Sequence, residues 1–183
     1  MILPARTGAE ESASAESGIS DCSKFIAGLG VSVVGIHEGG HTAAALALGY
    51  PMKDIHYRFS SVDIDGLALG ARDDKIIKMG GFAAQALSTE IILDTKAIPK
   101  SSWFVTGILV GNILHPLVYA IRAETGYARD FDGFSKKDRR IAEALVAGYS
   151  LFTAYRVHSN KDFPIHIMSG GRDISLVFRK TFD

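Results

Sequence analysis

Apolar and polar positions divide the chain into blocks with different periods. From Phe25 to Tyr50, Ala, Gly, Leu, Ile and Val dominate and Glu38 is the one formal charge, which predicts a buried or membrane-embedded helix. Between Asp54 and Ala71 the period shortens: Ile55, Tyr57 and Phe59 alternate with polar residues, and Val62 and Ile64 repeat the alternation before Gly66. That pattern predicts a short hairpin. Lys75 to Asp94 reads as a helix with Gly80-Gly81 near its start. Trp103 to Ile121 carries no formal charge between Lys100 and Arg122 and is long enough to span a bilayer. Gly107 and Gly111 stand at i and i+4 on it, a spacing that lets two helices approach closely. Asn112, His115 and Pro116 interrupt its apolarity and are tolerable facing a protein interior or a site. Ile141 to Val157 is a further apolar helix, preceded by the basic run Lys136-Lys137-Asp138-Arg139-Arg140. Residues 1–21, rich in Ala, Ser, Gly and Glu with no apolar period, read as a flexible tail. The expected fold is therefore mainly α with a small β-hairpin, a single helical domain over residues 22–183. Its expected location is a membrane, with a cytoplasmic bundle as the alternative.

Composition narrows the partners and the chemistry. A chain of 183 residues can bury roughly two-thirds of its unfolded surface. Its 20 basic and 20 acidic residues cancel, so no overall field draws in nucleic acid, and no nucleic-acid partner is expected. The single Cys22 excludes an intrachain disulfide and a Cys-rich metal cluster, leaving histidines and carboxylates as ligands. Gly28, Gly30 and Gly35 do not form a dinucleotide loop, because no strand, helix start and ribose-binding acid follow in order; helix packing explains them.

The chemistry concentrates in His37-Glu38-Gly39-Gly40-His41, an HExxH pentapeptide. Residues at i and i+4 share a helix face, so His37 and His41 present two imidazoles to one point, as zinc requires. Glu38 follows the first ligand directly, beside the metal rather than on it, where a carboxylate acts as general base toward water. Inside an apolar helix these groups need partners, and a metal supplies them. Two imidazoles leave a third ligand to find. Asp130, with Asp132 as its neighbour, lies in Tyr127-Ala-Arg-Asp-Phe-Asp-Gly133, and Glu90 lies in Glu90-Ile-Ile-Leu-Asp94. His56, His115, His158 and His166 have no partner at metal spacing, and His115 stands apart because its helix is apolar.

The segment His37-Glu38-Gly39-Gly40-His41-Thr42-Ala43-Ala44-Ala45, followed by Leu46-Ala47-Leu48-Gly49, resembles the active-site helix of membrane zinc proteases. Two groups are similar to it: the site-2 protease class and the peptidase domain of AAA-linked membrane proteases. Asn112, Pro116 and Asp132-Gly133 partly match the first. Gly80-Gly81-Phe82-Ala83-Ala84-Gln85 and Asp130-Phe131 partly match the second, with Gln85 where that family has a glutamate. Both resemblances imply a late aspartate as third ligand, which favours Asp130 over Glu90 and Asp132. The expectation is a zinc metallopeptidase cleaving a peptide or protein substrate, Glu38 its catalytic base and His37, His41 and Asp130 its metal ligands. The alternating segment Ile55 to Phe59 is a candidate platform on which a substrate pairs as an added strand. The alternative is a noncatalytic membrane or scaffold protein of the same fold, its metal structural or absent.

Overall fold

The computed structural model describes residues 8–58, 61–64, 70–123, 129–160, 163, 165–169 and 174–178. It is mainly helical with small antiparallel hairpins. Three helical pieces follow one another without a break: α1 (Gly8–Gly30), a π-helical stretch (Val31–His37) and α2 (Glu38–Ala47). Backbone angles at Gly30, His37 and Glu38 all stay right-handed helical across the joins. Within the stretch read as a tail, residues 1–21, the backbone is helical from Gly8, the first described residue, and runs on past Asp21 as part of α1. Ala and Glu are strong helix formers, and once the packed part of α1 has paid for nucleation each added residue extends it easily. α2 stops where the sequence says it must. Gly49 takes φ 91°, Tyr50 N–H donates to Ala45 O (3.1 Å) and Gly49 N–H to Leu46 O (3.0 Å), and Pro51 follows.

β1 (Ile55–Arg58) and β2 (Ser61–Ile64) form the expected hairpin, with Ile55 opposite Ile64 and Tyr57 opposite Val62. Phe59 and Gly66 lie outside the described residues. α3 (Ala71–Asp94), α4 (Trp103–Arg122) and α5 (Lys136–Ser159) complete the bundle. Ser135 caps α5 by accepting the Asp138 N–H at 3.1 Å, so the basic run forms its first turns. A second hairpin pairs β3 (Ile165–Ser169) with β4 (Ile174–Phe178), an addition to the expected fold.

Small residues set the helix contacts. α1 packs most extensively on α4, where Gly107 abuts the backbone of Phe25 and Gly28, and Gly111 leaves room for Ser32. α2 packs on α3 through a glycine pair: a Cβ on Gly80 would lie 2.6 Å from Gly40 O and 2.8 Å from Ala44 Cβ. Around these seams lie three apolar clusters. Phe82, Phe131 and Val146 join α3 to α5; Ile92, Ile108 and Leu109 join α3 to α4; Ala45, Ile55 and Ile77 join α2, β1 and α3. Three helical segments, 19–47, 71–94 and 103–122, are long and apolar enough to cross a membrane. Leu87, Leu114, Val118 and Ile121 point outward from α3 and α4 with half or more of their surface exposed or nearly so.

Candidate metal centre

His37 closes the π-helical stretch and His41 lies one turn into α2, so both imidazoles face α3. Their Nε2 atoms are 3.1 Å apart, and Asp130 Oδ2 lies 2.9 Å from that of His37 and 3.7 Å from that of His41. Among the described residues these three side chains form a group able to hold a metal ion, their ligand atoms all within 4.8 Å of one another. The outer nitrogens show which lone pairs are free. His41 Nδ1–H donates to Ile77 O at 2.7 Å, and His37 Nδ1–H donates to Gln85 Oε1 at 3.2 Å. With both protons on Nδ1, both Nε2 atoms carry lone pairs, and these converge on each other and on a carboxylate oxygen in a buried place. A cation among the donors, or a proton on one Nε2, relieves the repulsion of these lone pairs. Two imidazole nitrogens and one carboxylate oxygen fit a divalent metal with an N,N,O ligand set.

The π-helix explains how Gln85 can orient His37. Its i→i+5 bonding stacks residues five apart, which an α-helix would turn to different faces. Ser32 and His37 are so related, and they hold the two ends of one amide: Gln85 Oε1 accepts from His37, and Gln85 Nε2 donates to Ser32 Oγ at 3.2 Å. Ser32 Oγ in turn donates to Asn112 Oδ1 at 2.7 Å, and Asn112 Nδ2 reaches Thr89 Oγ1 and Ser88 Oγ at 3.0 and 2.8 Å. Ser32, Gln85 and Asn112 are all buried, so this network fastens the ligand helix to α3 and α4 in a low-dielectric interior where satisfied polar groups are rigid. Gly81 supplies the floor. A Cβ there would lie 2.6 Å from His37 Nδ1 and 2.7 Å from His41 Nε2.

Asp130 comes from a 3-10 turn, Arg129–Phe131, which is fastened at both sides. Phe131 is buried and stacks on Phe82 of α3 with centroids 5.5 Å apart and planes 15° from parallel. Lys78, also on α3, donates to Asp132 O at 2.7 Å and to Asp74 Oδ2 at 2.8 Å, while Asp132 N–H closes the turn on Arg129 O at 2.9 Å. Gly133, at φ 77°, lets the chain leave toward α5.

Glu38 is 7 % exposed, and its Oε2 is buried with no hydrogen-bond partner among the described residues. It borders a cleft of about 300 Å³ lined also by His41, Tyr119, Asp130 and every residue of β2. The strand lining this cleft is therefore β2; β1, the described part of the Ile55 to Phe59 segment expected to carry substrate, does not line it. Ile55 instead turns into the core, and Tyr57 reaches back to donate to Thr42 Oγ1 at 2.6 Å.

The other carboxylates held open by the sequence lie apart from the converging group. Asp132 borders the same cleft but its side chain is not among the three donors, because the turn directs Asp130 inward. Glu90 accepts from Arg156 Nη1 at 2.7 Å and from Tyr149 Oη at 2.6 Å. His115 lies against His37, centroids 4.4 Å apart, and its Nδ1 is 3.4 Å from Gln85 Oε1. Sequence reasoning singled out neither Lys78 nor Tyr119 and gave no positioning task to Gln85 or Phe131. The Gly-Gly-x-Ala-Ala-Gln resemblance was the available signal for Gln85; the others depend on tertiary packing. Compared with protein-family models, curated proteins and solved structures, the chain matches none.

Proposed function

We propose that this protein is a membrane-embedded, zinc-dependent peptidase. The observation that carries the reading is the convergence of His37, His41 and Asp130 beside Glu38, whose buried Oε2 has no hydrogen-bond partner among the described residues and which lines one cleft with His41 and Asp130. Three protein ligands of this N,N,O kind, leaving a further coordination position to water or substrate, are the pattern of catalytic rather than structural zinc. When bound, zinc supplies Lewis-acid polarisation of a water and of a carbonyl. The chain's own groups do the rest. Gln85 and the Ile77 carbonyl keep the Nδ1 protons of His37 and His41 in place, so both Nε2 atoms face the centre. Glu38 accepts a proton from the attacking water and returns it to the leaving amine nitrogen. A peptide is the favoured substrate because β2 borders the cleft and, among the described residues, pairs with β1 alone, which leaves an edge for an extended chain. The membrane assignment is supported by the three long apolar segments and their outward Leu, Val and Ile side chains.

Metal analysis and hydrolysis measured together test the reading. Purified protein is expected to hold one zinc, His37→Ala and His41→Ala to hold none, and Glu38→Gln to keep zinc and fold while losing hydrolysis. Unchanged zinc in either histidine variant overturns the centre. Equal hydrolysis by Glu38→Gln removes Glu38 from the reaction, and stoichiometric zinc without hydrolysis by the unmodified protein favours the scaffold alternative. Alkaline carbonate washing is expected to leave the protein with membranes; its release would overturn the membrane assignment.

A further inference from the structure

The face of α4 turned to the centre delivers three polar side chains in successive turns: Asn112, His115 and Tyr119. The first belongs to the buried network and the second lies between His37 and Gln85, but Tyr119 has no task in the reaction described so far. Its ring is wedged among aromatic neighbours, with centroids 4.7 Å from His115, 5.6 Å from Phe82 and 6.0 Å from His37. That packing holds the phenol half-buried at the wall of the cleft that Glu38, His41 and Asp130 also line. Among the described residues its hydroxyl makes no hydrogen bond. Four other side chains able to donate border the cleft: His41, whose Nδ1–H goes to Ile77 O, Ser61 at the start of β2, Lys78 and Arg129. Lys78 is occupied by Asp74 Oδ2 and Asp132 O, and Arg129 is exposed on the turn. Of these donors, Tyr119 is the one wedged among rings with no hydrogen bond among the described residues, and stabilisation of developing charge depends on donors already in place.

The geometry points to Tyr119 as a further catalytic residue, its hydroxyl donating a hydrogen bond to the scissile carbonyl oxygen as that oxygen gains charge. The assignment rests on the peptidase reading. As a water oxygen bonds to the carbonyl carbon, one water proton passes to Glu38 and the carbonyl π pair moves onto oxygen, where the Tyr119 O–H meets it. The phenol keeps its proton. When the pair returns, the C–N bond breaks and the proton on Glu38 goes to the amine nitrogen.

Tyr119→Phe keeps the ring and removes only the donor. With zinc-loaded, detergent-solubilised protein and a degenerate quenched-fluorescent peptide library, kcat is expected to fall about 100- to 1000-fold with KM unchanged. Zinc content and thermal midpoint should match the unmodified protein. Affinity for a phosphonamidate peptide, which presents a tetrahedral anion, should fall by a similar factor. In protein carrying 3-fluorotyrosine at position 119, the fluorine resonance should move when the phosphonamidate binds. Unmodified protein that neither cleaves the library nor binds the phosphonamidate overturns the peptidase reading and this assignment with it. Protein that does both, with Tyr119→Phe equally competent, overturns the assignment alone. So does a loss confined to Arg129→Gln, which would transfer the role to the arginine.

Discussion

Asp130, on a turn packed against α3, and Glu90, on α3 itself, are both carboxylates, and they differ in who uses their lone pairs. Glu90 accepts from both Arg156 and Tyr149, and Asp94 shares the same guanidinium at 3.2 Å. Its neighbours are altered in return: burial first, and then the bond to Glu90, push the Tyr149 phenol up to about 12, and the same carboxylate holds the Arg156 proton more tightly. Around Asp130 the neighbours are instead two imidazole nitrogens with lone pairs of their own. A carboxylate surrounded by committed donors has its lone pairs taken; one beside imidazole nitrogens can hold a metal ion with them. Hydrogen-bond supply, more than sequence position, separates the two.

The sharpest way to break this comparison is to exchange the losses. Asp130→Ala should reduce bound zinc from one equivalent to none, while Glu90→Gln should leave zinc and hydrolysis unchanged, both read by metal analysis of purified protein. The opposite pattern would make Glu90 the ligand. A subtler blow is Gly81→Ala, which touches no ligand. Alanine is about 1 kcal/mol better than glycine in a helix interior, yet its Cβ meets both imidazole rings. Zinc binding should weaken by at least tenfold; tight binding at full stability would show that the rings are not held where described. Gln85→Leu removes the acceptor that orients His37. Zinc affinity should drop about 10- to 100-fold, measured by competition with a chelator, and unaltered affinity would make the amide network a packing device only.

The smallest effect concerns Asp138, another satisfied carboxylate. Its bond to Lys75, at 2.5 Å, holds it below the usual carboxylate range. A depressed folded value contributes stability above the unfolded pKa near 3.8, lost as pH falls through the lower folded value. Both partners are a third or more exposed, so the contribution is small and screened by salt. Melting of zinc-free protein between neutral and acidic pH should be slightly less pH-dependent in Asp138→Asn than in the unmodified chain. An identical profile would show that Lys75 does nothing for it.

What could be read from the sequence follows from what each signal depends on. The helices over Lys75 to Asp94 and Trp103 to Ile121 and the hairpin around Val62 rest on local period, and they stand within a few residues of expectation. HExxH put His37 and His41 on one face for the same reason. The third donor could be narrowed but not singled out, because the choice lies in Phe131 stacking on Phe82 and Lys78 holding the Asp132 carbonyl, contacts between distant segments. The strand facing the cleft depended on how the hairpin lies against α2, which alternation does not encode. The second hairpin has its cue in the alternation of Ile165 and Ile167 before Gly170-Gly171, a signal too short to stand out beside the helical periods.

The π-helical stretch Val31–His37 has a consequence in phase. Such a stretch amounts to one residue inserted into an otherwise continuous α-helix, and each residue turns an α-helix by about 100°. Upstream of it Gly28 sits against α4, and downstream Gly40 sits against α3. The inserted residue is thus a phase shifter that lets one rod present a small-residue groove to each of two neighbours. Deleting a single residue between Val31 and Ile36 would restore uniform winding and leave either Gly28 or the pair His37 and His41 about 100° out of register. The centre's alignment is carried by a count of residues as much as by their identity.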